Sequence, residues 1–147
     1  MSDVTTFSVS ASWDPAAKEG ELANADGALR LRHVGAVSLE GKGGGANPED
    51  LLTSAVAACF VQTWAIFLGK LKVPIEKPHL DATAFLEKDP AGGFHITRVE
   101  LAPRVPAALL AERKADVDKT LALAEKYCIV SKVVRGSVPI SVKAVRV

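Results

Sequence analysis

Two cysteines, one tyrosine and almost no net charge are the scarcities that bound what this 147-residue chain can be. Two cysteines are too few for a secreted module held together by disulfides, and too few for a four-cysteine zinc site. With 18 Lys and Arg against 17 Asp and Glu the net charge is +1, which removes the simplest argument for a nucleic-acid or polyanionic partner. The opening MSDVTTFSVS has no basic stretch leading into an apolar one. No signal peptide is expected there, and the location predicted by default is cytoplasmic. In that compartment a cysteine pair is more often redox-active than structural. No repeat, linker or low-complexity tract divides the chain, so one domain over 1–147 is expected. What is present is ordinary globular material, 48% hydrophobic and 24% charged, enough for one sizeable core.

Periodicity orders that material. Phe7, Val9 and Ala11 alternate with polar neighbours up to Trp13, as in a strand. Gly20 to Asn24, the turn residues Asn24-Ala25-Asp26-Gly27 and the alternating Ala28 to Arg32 predict a hairpin. The glycine-rich Gly41 to Gly45 lacks the Lys-Ser/Thr ending of a phosphate loop and reads as loop. Asn47 is placed to cap a helix, with Pro48 at its first position and Glu49 and Asp50 in its first turn. From Leu51 to Leu68 that helix is apolar on nearly every side, which predicts burial, with Gly69 ending it. His79–Leu86 and Phe94–Leu101 read as paired strands, and a second helix runs from Pro106 through Leu109, Leu110, Val117, Leu121 and Ala124. Ser131–Arg135 reads as a turn, and Val138, Ile140, Val142 and Ala144 as one face of a last strand. Strands, helix, strands, helix and strand define an α+β fold.

The chemistry is concentrated in the cysteines. Cys59 lies inside the apolar helix, where burial raises a thiol pKa. It stands 12 residues past Asn47, roughly 18 Å along the axis and beyond the reach of its own helix dipole. A reactive Cys59 is therefore expected to need a cation from elsewhere, and otherwise it is a small core residue. Cys128 ends the second helix, and 69 positions of separation do not indicate whether the sulfurs meet. His33, His79 and His95 are scattered on strands and form no cluster, so no metal is expected. Trp13 and Trp64 read as core aromatics.

Asn47-Pro48-Glu49-Asp50-Leu51-Leu52 and Ala57-Ala58-Cys59-Phe60, with Cys128 before Val130-Ser131, resemble the OsmC/Ohr family, the osmotically inducible protein C and organic hydroperoxide resistance proteins. The likeness extends to Ala11-Ser12-Trp13, Ala82-Thr83-Ala84, Phe94-His95-Ile96-Thr97 and the final strand. It implies an OsmC-like α+β fold, with antiparallel sheets around a long buried central helix, in an intertwined homodimer with active sites at the subunit interface. It implies a thiol peroxidase for organic hydroperoxides, needing no cofactor, with an external dithiol as reductant and with neither nucleic acid nor membrane as partner. By position, Cys59 is the peroxidatic thiolate, Cys128 the resolving thiol and Glu49 the catalytic glutamate. Glu49 is ten residues before Cys59, about 15 Å along one helix, so it would have to serve a sulfur on a second, antiparallel helix. Its first-turn position also suits a plain helix-dipole role.

Two departures stand out. Where the family has an arginine paired with that glutamate, one alignment places Lys18 and another Ser38, and lysine cannot present the planar fork of arginine. Arg30 or Arg32 are the candidate replacements. Ile129 stands where many members have proline. An alternative reading follows, in which the chain keeps the fold and thiols but is a ligand-binding or redox-sensing protein with weak turnover. Apolar neighbours such as Leu52 and Phe60 favour an apolar hydroperoxide.

Overall fold

A computed structural model describes residues 3–147, which gather into two compact units, one ending at Leu51 and the other spanning Leu52–Val147. The first unit is an antiparallel sheet of β1 (Val9–Ala11), β2 (Glu19–Asn24) and β3 (Arg30–Val34) in the order β1-β2-β3. The predicted hairpin is present, with Leu22 opposite Leu31. Its turn is closed by two side chains: Asn24 Oδ1 accepts from the Leu29 N–H and Asp26 Oδ1 from the Ala28 N–H, both at 2.9 Å. Gly20 is required by close approach, because a Cβ there would sit 1.8 Å from the Ser12 carbonyl oxygen. Trp13 departs from expectation. It is 50% exposed, beside the His33 ring at 5.5 Å between centroids, because three short strands supply no second layer within this unit to cover it.

The long helix α1 (Pro48–Lys70) begins as the sequence predicts. Asn47 Oδ1 accepts from the Asp50 N–H while its Nδ2 donates to Asp50 Oδ2, both at 2.8 Å, which satisfies an otherwise orphaned helix donor. It runs past Gly69, and its burial is narrower than expected. Val56, Phe60, Trp64 and Leu68, one stripe at i, i+4 spacing, are 0–2% exposed. On other faces Leu52 is 39% and Ile66 55% exposed. By length and composition α1 also passes for a membrane span, yet this stripe is built into the core of the second unit.

That core is completed by β4 (Leu80–Lys88), β5 (Phe94–Val105), β6 (Ile140–Val142) and β7 (Val145–Arg146). β4 and β5 are antiparallel, with a register shift at Phe85/Leu86, whereas β6 and β7 run parallel to β5. Val99, Leu101 and Val105 of β5 join the α1 stripe in one apolar cluster. The predicted second helix is two: α2 (Ala107–Glu112) and α3 (Lys114–Tyr127), parted at Arg113, whose backbone leaves the helical region at φ −136°, ψ 33°. The Arg113 guanidinium explains the break: it donates to the carbonyls of Lys72 (2.7 Å) and Leu71 (3.3 Å) and to Asp116 (2.9 Å), tying the start of α3 to the loop after α1. Within the core, Trp64 Nε1 donates to Thr120 Oγ1 at 3.0 Å, linking α1 to α3.

Candidate active site

The segment expected as a turn after Cys128 is a helix, α4 (Ile129–Arg135). Its cap is unusual in sequence terms. Cys128 has extended backbone (φ −65°, ψ 111°), and its sulfur accepts from the Ser131 N–H at 3.5 Å, in the position an oxygen side chain ordinarily fills. Arg135 fastens the other end, donating from both Nη1 and Nη2 to the Glu125 carbonyl at 3.3 Å. The chain thus turns sharply at Cys128, and the free N–H groups that open α4 are aimed out of the bend.

They are aimed at Cys59. The half-buried Cys59 and the fully buried Cys128 are both free thiols, and the structure brings them close enough for each to shift the acidity of the other. Burial pushes the Cys59 thiol up, but donors surround its sulfur: the Val130 N–H, the Cys128 thiol, the Ile129 N–H and the Thr63 hydroxyl. Together they hold its pKa below the ordinary cysteine value. Thr63 sits one turn beyond Cys59 on the same face, where its single hydroxyl proton is directed at the Cys59 carbonyl at 2.8 Å, so its pull on the sulfur is the smallest of the four. Cys128 moves the opposite way. Burial raises it first, and the hydrogen bond to Cys59 together with the negative charge there adds to the rise. The Ser131 hydroxyl and N–H only partly oppose this. The arrangement sets the more acidic thiol, Cys59, beside the less acidic one, Cys128.

Within this chain, the groups that lower the Cys59 pKa carry no charge. Neutral donors depress the Cys59 pKa: two amides at a helix N-terminus, a thiol and a hydroxyl. Of the cations considered from sequence, both arginines are paired within the first unit. Arg30 pairs with Glu21 at 3.0 Å, and Arg32 pairs with Glu19 at 2.7 Å and donates to the Gly44 carbonyl. Lys18 is exposed in the turn before β2 with φ 55°, and Ser38 lies in a short 3-10 turn (Val37–Leu39). Glu49 is half-buried in the first turn of α1. Sequence reasoning passed over Thr63, Ser131 and the Ile129 and Val130 amides. Thr63 was accessible to it as an i+4 neighbour, whereas the amides act through backbone and carry no side-chain signal.

A long helix carrying one thiol, with a second thiol nearby at the cap of a short helix, defines an α+β protein with two adjacent cysteines. The chain belongs to the OsmC family, whose model, described as OsmC-like protein, matches residues 41–143. It is 35% identical over 127 residues to an organic hydroperoxide resistance protein of Xanthomonas axonopodis pv. citri, with 84% of each chain covered. It is also similar to the crystal structure of an organic hydroperoxide resistance protein from Legionella pneumophila, with a TM-score of 0.80, 25% identity, and 99% of this chain and 100% of that one covered. A protein of the same description from Bacillus subtilis aligns with a TM-score of 0.73 and 25% identity over 96% of this chain and 98% of that one. These likenesses agree with the OsmC-like α+β fold expected from the sequence.

Proposed function

We propose that this chain is a cysteine-based peroxidase that reduces organic hydroperoxides in the cytoplasm, working as a single 1–147 domain in a homodimer. The observation that carries the reading is the closeness of two free thiols, one half-buried on α1 and one fully buried at the cap of α4, and their opposite shifts in acidity suit each sulfur to a different task. The Cys59 thiolate attacks the outer oxygen of ROOH. The O–O bond breaks, the alkoxide leaves as ROH after taking a proton, and Cys59 becomes a sulfenic acid. Cys128 displaces water from it to form a disulfide, and an external dithiol returns both sulfurs to the reduced state. No cofactor or metal enters this cycle. The relatives' description as organic hydroperoxide resistance proteins supports the substrate class.

The homodimer is supported by the apolar residues that α1 leaves exposed, Leu52 and Ile66 with Ala55, Ala58 and Ala65, which a second antiparallel α1 would cover. That packing would also bring Glu49 of one subunit to Cys59 of the other, the only way a residue about 15 Å away on its own helix serves that sulfur. The test is hydroperoxide consumption by the purified dimer with a dithiol reductant. Cys59→Ser abolishes turnover, and Cys128→Ser permits one stoichiometric reaction followed by over-oxidation of Cys59. A wild-type dimer that leaves the hydroperoxide intact while Cys59 stays reduced sinks the proposal. Sedimentation of an Ile66→Glu variant as a monomer would support the α1 interface.

The neutral character of the donors at Cys59 favours a second reading, a ligand-binding or redox-sensing protein with slow turnover. The two are separated by titrating Cys59 in the dimer, since a thiol that ionises only in the range of free cysteine favours the sensor.

A further inference from the structure

We infer that Ser131 is a positioning residue for the second thiol: its hydroxyl holds the Cys128 sulfur in place and stabilises it as it becomes the resolving nucleophile. The inference rests on the two-thiol peroxidase reading and adds to it a residue acting on the second step alone.

Ser131 is 0% exposed, as is Cys128. A buried hydroxyl must find a partner or lose its hydration without return. In a helix a serine commonly donates back to a carbonyl three or four residues earlier. Here the Ser131 Oγ–H donates instead to Cys128 Sγ at 3.0 Å, and the Ser131 N–H reaches the same sulfur at 3.5 Å. Two donors from one residue therefore converge on one sulfur. A neutral thiol is a weak acceptor, so this pairing gains most when the sulfur is an anion, a state Cys128 enters only as it attacks. The other buried polar side chain among the described residues, Thr120, is accounted for by Trp64.

The step that would depend on Ser131 balances simply. The Cys128 sulfur gives up its proton and attacks the sulfur of the Cys59 sulfenic acid. The S–S bond forms, the S–O bond breaks, and the departing hydroxide takes the proton as water. Cys59 is reduced from sulfenic acid to disulfide while Cys128 is oxidised from thiol to disulfide. The first step, attack of Cys59 on the peroxide, is supported by the α4 amides and Thr63 as well as by the Cys128 thiol, so it would depend on Ser131 only weakly and through Cys128.

The test uses the full-length reduced chain as wild type, Ser131→Ala and Ser131→Thr, with Cys128→Ser as the control lacking a second phase. Each is oxidised in two ways. Cumene hydroperoxide converts Cys59 to sulfenic acid, and 5,5′-dithiobis(2-nitrobenzoate) converts it to a mixed disulfide that Cys128 attacks, releasing the second thionitrobenzoate. Ser131→Ala is expected to slow the second phase about tenfold with either oxidant, the effect of one charge-assisted hydrogen bond. Its pH midpoint should move upward while the first phase stays within about twofold. Ser131→Thr should restore rate and midpoint. A merely structural serine would not shift the pH dependence of one phase while sparing the other.

An Ala variant whose second phase keeps wild-type rate and midpoint overturns the inference, as does a folded Thr variant as slow as Ala. If the mixed-disulfide arm behaves as expected while cumene hydroperoxide leaves Cys59 unoxidised, the peroxidase reading fails and the role of Ser131 stands.

Discussion

Thr120→Val tests whether the two helices that carry the thiols are locked together by the buried hydrogen bond between Trp64 and Thr120. Both residues are 0% exposed. Trp64 Nε1 donates to Thr120 Oγ1 at 3.0 Å, and that hydroxyl donates to the Val117 carbonyl at 2.7 Å. Valine keeps the β-branched shape, so neither helix preference nor volume changes much. The change removes the acceptor of an indole N–H that is fully buried. An orphaned buried donor costs about 1–3 kcal/mol. The lost bond to Val117 adds little, since that carbonyl lies within α3 and keeps its helical partner. We expect about 2 kcal/mol of destabilisation, a fall in Tm of roughly 4–8 °C for a chain of this size, measured at fixed protein concentration because association also contributes. Trp64→Phe in the same background tests the cause, because with both polar partners gone Thr120→Val should cost only a few tenths of a kcal/mol. A single Thr120→Val variant that unfolds within about 0.5 kcal/mol of wild type, the ordinary range for changes at featureless sites, refutes the argument.

Three further outcomes are expected. Only thiolates alkylate, so iodoacetamide at neutral pH should mark Cys59 before Cys128. Labelling of Cys59 should fall as the pH drops through its depressed pKa, and Cys128 should become reactive only above the ordinary thiol range. Peptide mass mapping reads the order, and Cys128 labelled first contradicts the site. Thr63→Val removes the weakest of the groups that lower the Cys59 pKa, so the midpoint of that profile should rise slightly and alkylation at neutral pH should slow about twofold; an unchanged midpoint assigns the effect to the α4 amides and the Cys128 thiol. Asn47→Ala breaks both cap bonds of α1 and should cost about 1 kcal/mol by chemical denaturation, leaving the order of thiol labelling intact.

Much of the architecture was legible because it is written in local chemistry. The Asn47 cap, the Asn24–Gly27 turn and the two strand pairs each depend on residues close in sequence; the cap and turn appear where expected, while β3 lies two residues later and β5 runs four residues further than expected. The errors arose where a distant group intervenes. Arg113 breaks a helix that its apolar stripe would continue, because carbonyls from the loop after α1 capture its guanidinium. α4 was missed because its cap is a sulfur, and caps are ordinarily recognised by oxygen. The width of the apolar belt on α1 predicts burial without naming what covers it, and within this chain only one stripe is closed.

The amino-acid sequence by itself determined the α+β order of elements, the capped apolar helix bearing Cys59 and, through the register of its motifs, membership of the OsmC family. Tertiary structure decided what makes the first thiol acidic. A thiol pKa depends on every donor within a few ångströms of the sulfur, and those donors are backbone amides of residues 129 and 130 with two side chains. A peptide N–H is common to every residue but proline, so its direction exists only in the fold. The scarcity of cysteine drew attention to two sulfurs, and the bend at Cys128 gave them unequal acidity.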